Sequence, residues 1–190
     1  MPVMSRIERA FCRGTIWRRS TLATVDWLHP ERLGGEILEI GSGAGTVAAA
    51  LQQRLPDAAV TASDLDPEMV AAASRRLGPH PAARAVLADA TALPFADEVF
   101  DSVVSCLMLH HIIEWEAAIR EIVRVLRPGG LFVGYDLART AAATAVHRLD
   151  RSPFRLLTSA ELEHTCREVG MAVEVDSHYL GHVVRFVATR

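Results

Sequence analysis

The sequence predicts a doubly wound α/β fold, a mostly parallel sheet with helices on both faces, and three observations carry that prediction. The stretch Glu36-Ile-Leu-Glu-Ile-Gly-Ser-Gly-Ala-Gly-Thr46 is an apolar strand that runs into three glycines spaced two apart and then into an Ala-rich helix, the form of a loop that brings bare backbone against a ligand. Strand-then-helix units repeat after it, which implies parallel strands joined by right-handed crossovers. The chain has 190 residues, 50% of them hydrophobic, enough for one compact core and too few for two large ones.

The elements follow in order. Residues 5–29 mix Ile7, Phe11, Ile16, Trp17, Leu22, Val25, Trp27 and Leu28 with five arginines at spacings that suit one or two amphipathic helices. They are expected to form an N-terminal helical cap over residues 1–34, either as a packing helix with a solvated basic face or as a lid on the ligand site. Residues 35–190 form the second unit. A turn at 30–35 leads to the first strand, Glu36–Ile40, and a helix over 46–55 stopped by Pro56. The second strand, 59–63, ends at Asp64, and Pro67 opens the next helix in the first-turn position that proline tolerates; the cluster at 78–81 breaks it. The third strand spans 85–88 and ends at Asp89, and the fourth spans 101–105.

Trp115, Ala118, Ile119, Ile122, Val123 and Leu126 then mark one buried helical stripe. Arg127-Pro-Gly-Gly130 reads as a turn into the fifth strand, 131–135. Thr158 and Glu161 form a capping box for a last helix that Gly170 terminates. Residues 171–177 and 183–189 read as two strands joined around Gly181, an antiparallel hairpin at the sheet edge.

Charge and cysteines narrow the function. With 20 basic and 23 acidic residues there is no electrostatic footprint for nucleic acid. Cys12, Cys106 and Cys166 are odd in number and far apart, so neither a disulfide framework nor a metal knuckle is indicated. No apolar run reaches the length of a membrane span. A soluble, cytoplasmic protein without nucleic-acid or membrane partners is expected, and the oligomeric state is not written in the sequence.

Three acids, Asp64, Asp89 and Glu39, surround the expected ligand site at the strand C-termini, near the topological switch point beside the first strand. The loop Gly41-Ser-Gly-Ala-Gly45 is GxGxG rather than the dinucleotide GxGxxG, with Thr46 where the last glycine would stand, and it lacks the Lys of a phosphate-binding loop. Asp64, about 20 residues after the glycines, is placed to accept from ribose hydroxyls; the alternative is a helix-initiating Asp before Pro67. Asp89 is placed to accept from an adenine amine while the Ala90 N–H donates to the ring; the alternative is a cap for Thr91-Ala92. Glu39 is placed to pair with a cationic group. A nicotinamide dehydrogenase is disfavoured by the glycine spacing.

Leu38-Glu-Ile-Gly-Ser-Gly-Ala-Gly-Thr46, Val60-Thr-Ala-Ser-Asp-Leu-Asp-Pro-Glu-Met69, Ala88-Asp-Ala-Thr-Ala-Leu-Pro-Phe-Ala-Asp-Glu-Val-Phe-Asp101, Leu109-His-His-Ile112 and Leu126-Arg-Pro-Gly-Gly-Leu131 together resemble, in order and spacing, the class I S-adenosylmethionine-dependent methyltransferases, particularly the small-molecule group related to ubiquinone and menaquinone C-methyltransferases. The resemblance covers about residues 33–136. It implies a Rossmann-like, seven-stranded sheet of order 3-2-1-4-5-7-6 with an antiparallel C-terminal strand. It also implies S-adenosylmethionine as cofactor, S-adenosylhomocysteine as product, and a small-molecule methyl acceptor. Glu39 is then expected near the methionyl amine, with Gly41, Ser42, Gly43 and Gly45 beside the aminocarboxypropyl chain. Asp64 belongs on the ribose with Leu65 in the same set, Asp89 and Ala90 on the adenine, and Ser105 at the edge of the fourth strand.

The methyl group of a sulfonium is already electrophilic, so such a site mainly aligns a nucleophile for in-line displacement and excludes water. A base is needed only if the nucleophile carries a tightly held proton; the candidates are His110, His111, Tyr135 and Asp136, with His147 and His178 further off. His110 and His111 read alternatively as packing or capping residues of the helix that follows. Cys106 reads as a small buried thiol. The fourth strand ends in Ser105-Cys-Leu-Met108 rather than the Asn/Asp-Pro-Pro-Tyr/Phe signature of amino-group enzymes, which argues against a flipped base. Residues 137–157 are expected to roof a small, partly apolar acceptor together with the N-terminal helices. The competing reading is a catalytically silent methyltransferase-like subunit that binds the cofactor or a partner.

Overall fold

A seven-stranded sheet of order β3-β2-β1-β4-β5-β7-β6 forms the centre of the computed structural model, which describes residues 22–150 and 153–190. Its strands are β1 (Glu36–Ile40), β2 (Ala59–Asp64), β3 (Ala83–Leu87), β4 (Phe100–Cys106), β5 (Leu126–Leu137), β6 (Ala172–His178) and β7 (Val183–Thr189). The first five are mutually parallel, and β7 runs antiparallel between β5 and β6. This is the expected order. The helices are α1 (Thr46–Arg54), α2 (Pro67–Leu77), α3 (Trp115–Val125), α4 (Ala141–Asp150) and α5 (Ser159–Glu168). None of the described helices is long and apolar enough to cross a membrane.

Strand alternation divides the core into two layers. Ile37, Val60, Ala62, Val104, Val133 and Tyr135 meet α1 on one face, while Leu38, Ile40, Val103 and Phe132 meet α3 and α5 on the other. The α3 stripe is buried as expected at Trp115, Ala118, Ile119 and Ile122, but Val125 rather than Leu126 closes it, because the helix ends there and Leu126 opens β5, and Val123 is only half-buried. The helix ends are set by local chemistry. Asp66, not Asp64, caps α2 by accepting from Glu68 N–H at 2.9 Å, with Pro67 next. Thr158 and Glu161 make the reciprocal capping box of α5.

One expected turn is corrected. Arg127-Pro-Gly-Gly130 lies inside β5 rather than before it, because the end of the chain completes its ladder: Gly129 N–H donates to the Arg190 carbonyl, and Arg190 N–H to the Gly130 carbonyl, both at 3.0 Å. The register shifts there, with Phe100 opposite Leu126 but Ser102 opposite Leu131, so the intervening residues of β5 bulge out of the sheet.

The greater part of the expected N-terminal cap, residues 1–21, lies outside the described residues. Its described end is a short helical stretch that passes through 3-10 turns at Val25–Leu28 and Pro30–Arg32. Val25 and Leu28 are buried in the α1-side layer. Trp27 stacks on His178 with ring centroids 5.0 Å apart, and the Thr24 hydroxyl bonds the Tyr135 hydroxyl at 2.6 Å.

β5 is pressed between β4 and β7 at Gly134, where a Cβ would stand 2.0 Å from the Ser105 carbonyl oxygen and 2.7 Å from Phe186 Cζ. Backbone cannot yield as a flexible side chain does. Gly134→Ala is expected to destabilise the fold by about 1–3 kcal/mol or more, read as a lower urea midpoint at unchanged slope; an unchanged midpoint would show that the strands separate more easily than this packing allows.

Candidate active site

The site begins where β1 ends. Ile40 pairs with Ser63 on one side and Ser105 on the other, so three strands finish at one level before the chain turns through Gly41, Gly43 and Gly45. All three have positive φ, at 60°, 52° and 72°, the region that glycine occupies without steric cost. Two are also enclosed. A Cβ on Gly41 would meet Met108 Cγ at 1.9 Å, and one on Gly45 would meet Ala73 of α2 at 3.0 Å. Gly43 has nothing within 4 Å of that position, which leaves the middle of the loop as an open backbone cradle.

Carboxylates hold the cradle from below. Asp64 Oδ2 accepts the Gly43 N–H at 2.8 Å, and its Oδ1 accepts the Asp66 N–H at 2.9 Å. Burial pushes the Asp64 carboxyl above its ordinary value, opposed by the Asp66 and Gly43 N–H groups. Glu39, only 2% exposed, accepts the Ala48 N–H at 2.9 Å and so satisfies one of the donors that the first turn of α1 leaves open. Burial raises its carboxyl from 4.5 to about 8, against the lowering effect of that bond and with a further rise from Asp64.

The other cofactor candidates take distinct positions. Asp89 Oδ1 accepts from the Thr91 N–H at 2.8 Å and the Thr91 hydroxyl at 2.7 Å, so the capping alternative describes its local role. Ala90 is buried beside it and Leu65 is half-buried. The Ser42 and Ser105 hydroxyls are buried and have no hydrogen-bond partner among the described residues, a condition native interiors rarely leave unfilled. Two orphaned hydroxyls, an open glycine backbone and two buried carboxylates fit a ligand that carries hydroxyls and an ammonium group. Sequence reasoning missed Arg76, which reaches from the last turn of α2 to the Ala44 carbonyl at 2.8 Å and to the Thr46 hydroxyl, because only packing of α2 on the loop brings it there.

A second set lies at the ends of β4 and β5. The 3-10 turn Leu109–His111 carries His110, whose Nδ1 bonds Asp136 Oδ1; the His110 backbone N–H reaches Asp136 Oδ2 at 3.3 Å, and Leu137 N–H donates to Oδ1 at 2.6 Å. Both side chains are buried. Burial would raise the Asp136 carboxyl, but the adjoining His110 ring with its hydrogen bond, the Leu137 N–H and nearby His111 outweigh it and hold the group below its ordinary value. His111 is half-buried, its ring 4.1 Å from that of His110. His110 therefore pairs with Asp136 of β5, and His111 packs against its ring.

Tyr135 does not join them. It sits on the opposite face of β5 with its hydroxyl on Thr24, and burial, with Cys106 alongside, raises its phenol well above the ordinary value. The Cys106 thiol is pushed up by burial and by Glu39, in keeping with an inert thiol. His178 is occupied by its stacking on Trp27.

A methyltransferase domain model matches residues 38–134. Among curated relatives, the chain is 34% identical over 148 residues to demethylmenaquinone methyltransferase of Clavibacter sepedonicus, covering 70% of this chain and 58% of the relative. It is 35% identical over 152 residues to phthiotriol/phenolphthiotriol dimycocerosates methyltransferase 1 of Mycobacterium ulcerans, covering 79% of this chain and 54% of the relative. The chain thus spans about half the length of the curated relatives it matches. Among solved structures, a chain of the complex between the Haloferax volcanii Trm112 methyltransferase activator and a methyltransferase superposes with a TM-score of 0.80 at 18% identity, covering 99% of each chain, a likeness of fold.

The burial of Glu39 makes a pH-dependent prediction. Its carboxyl favours the folded state while protonated, so its contribution is full below the unfolded value near 4.5 and is lost as the pH rises through about 8. Glu39→Gln, which keeps an acceptor for Ala48 N–H, is expected to raise the melting temperature of the ligand-free protein by a few degrees at about pH 9 and to change it little at about pH 5. Equal shifts at both pH values would show that Glu39 titrates normally.

Proposed function

Because this chain belongs to the methyltransferase-domain family of class I S-adenosylmethionine-dependent methyltransferases, we propose that it transfers a methyl group from S-adenosylmethionine to a small, partly apolar molecule by in-line displacement. The observation that carries this reading is the juxtaposition, one strand apart on the same sheet edge, of an open glycine backbone flanked by carboxylates and a buried histidine–carboxylate pair. When bound, the cofactor supplies an electrophilic methyl group on a sulfonium; the chain's residues hold, orient and deprotonate.

Glu39 accepts from the methionyl ammonium, whose charge favours the ionised carboxylate that burial alone disfavours. Gly41, Ser42, Gly43 and Gly45 receive the aminocarboxypropyl chain. Asp64, with Leu65 beside it, accepts from the ribose; each carboxylate oxygen has a lone pair beyond the one given to backbone N–H. Asp89 and the Ala90 N–H meet the adenine, and the orphaned Ser42 and Ser105 hydroxyls acquire partners.

On the acceptor side, Asp136 fixes the tautomer of His110 with the proton on Nδ1, leaving Nε2 free to take a proton from the acceptor, and it stabilises the imidazolium that results. A base of this kind suits an acceptor whose nucleophilic atom holds its proton tightly, a hydroxyl or an activated carbon. The pair also weighs against a silent cofactor-binding subunit, since an ionised carboxylate inside the core costs stability that a purely structural site need not give up. Residues 22–34 serve as a cover, supported by the contacts of Thr24 and Trp27 with Tyr135 and His178.

Asp64→Ala is expected to weaken S-adenosylmethionine binding by about 1–3 kcal/mol, because ribose hydroxyls lose a charged acceptor and the loop its tie; calorimetric affinity equal to wild type would reject this role. Asp136→Asn is expected to bind the cofactor normally but to transfer label from methyl-labelled S-adenosylmethionine about 10²–10⁴ times more slowly to hydroxyarene and enolisable acceptors that the wild type uses. Undiminished turnover would remove His110 from the role of base.

A further inference from the structure

We propose that His147, supplied by α4, is a positioning residue for the His110–Asp136 pair: its ring packs on His110 and, backed by Phe154, seals the hydrogen bond of the pair from water. The proposal rests on the reading of that pair as the acceptor-side base. α4 turns one edge inward, burying Ala143 and His147 four residues apart, while Ala141, Ala142, Ala145 and Arg148 are exposed. The His147 ring lies 4.8 Å from that of His110, 5.6 Å from that of His111 and 4.9 Å from that of Phe154. One residue of the roof thus touches both histidines of the turn after β4.

The segment that carries His147 is anchored to the residue it covers. Arg155, next to Phe154, donates its backbone N–H to the His110 carbonyl at 2.8 Å. Its guanidinium grips Glu116 of α3 with bonds of 2.8 and 2.6 Å, reaches the Ile113 carbonyl at 2.9 Å and lies over the Trp115 ring. At the other end Arg139 N–H donates to the Leu157 carbonyl at 2.9 Å, and Thr140 caps the first turn of α4. Such a strap sets α4 at a fixed height above His110. A hydrogen bond between an imidazole and a buried carboxylate is strong only while water is kept from competing for either partner, and the His147 ring, tilted against those of His110 and Phe154, covers that approach.

The His110 Nδ1 proton, bonded to the carboxylate, gives a strongly deshielded proton resonance that Asp136→Asn should abolish, and its exchange with solvent reports whether the seal is intact. In wild type it should be sharp. His147→Ala should accelerate its exchange at least about tenfold, whereas His147→Phe, which keeps a ring against His110 and Phe154, should restore wild-type exchange. Calorimetric binding of S-adenosylmethionine should be the same in all three proteins, which also reports that the variants are folded. Wild-type exchange in His147→Ala would overturn the proposal, as would exchange in His147→Phe as fast as in the alanine variant. Failure of S-adenosylmethionine to bind wild type would instead remove the methyl-transfer reading and leave the exchange result to decide the role of His147.

Discussion

The bond from Gly43 N–H to the Asp64 carboxylate is the constraint on which the site depends. A loop of glycines has no side chains to hold it, and without an anchor it samples many conformations of similar energy. Asp64 supplies the anchor because β2 pairs in register with β1, so the strand that precedes the loop and the strand that carries the acid end together. Four residues, Asp64 to Pro67, then finish a strand, tie the loop and start α2. Through Arg76 the far end of α2 returns to the same loop. The cradle is therefore fixed before any ligand arrives, and little ordering remains to oppose binding.

The strand alternation that builds the two core layers also sorts the chemistry. Glu39, Cys106 and Tyr135 share the face toward α1, where burial suppresses ionisation of all three groups. Asp136 is one residue beyond Tyr135 and belongs to the other face, where pairing with His110 holds its carboxyl below the ordinary value. Two buried acids on adjacent layers are thus shifted in opposite directions, Glu39 up and Asp136 down.

How much of this was legible depends on how local each feature is. The glycine loop, the capping box at Thr158 and the first two turns of the α3 stripe are decided by neighbours in sequence, and they stand where periodicity and spacing put them, whereas Leu126 is drawn into β5. Asp64 and Asp89 were legible as acids at strand ends, but their bonds to Gly43 and Thr91 follow from backbone geometry that residue type alone does not specify. The pairing of His110 with Asp136 needed the register of β4 on β5, which sets Cys106 opposite Tyr135 and so aligns the two strand ends. Arg127 to Gly130 looked like a turn because its partner, Arg190, comes from the end of the chain. His147 could be named as a histidine but not placed, since the rings it meets on His110 and His111 come from a distant segment of the chain.

Whether the carboxylate-anchored glycine loop is a cradle for a sulfonium-bearing adenosine can be read by titrating the folded wild-type protein with S-adenosylmethionine and S-adenosylhomocysteine in a calorimeter, with NAD as the control. Saturable one-to-one binding of both sulfur compounds and none of NAD is the predicted result. Absence of binding by either sulfur compound, or a preference for NAD, would show that this loop does not hold a sulfonium-bearing adenosine.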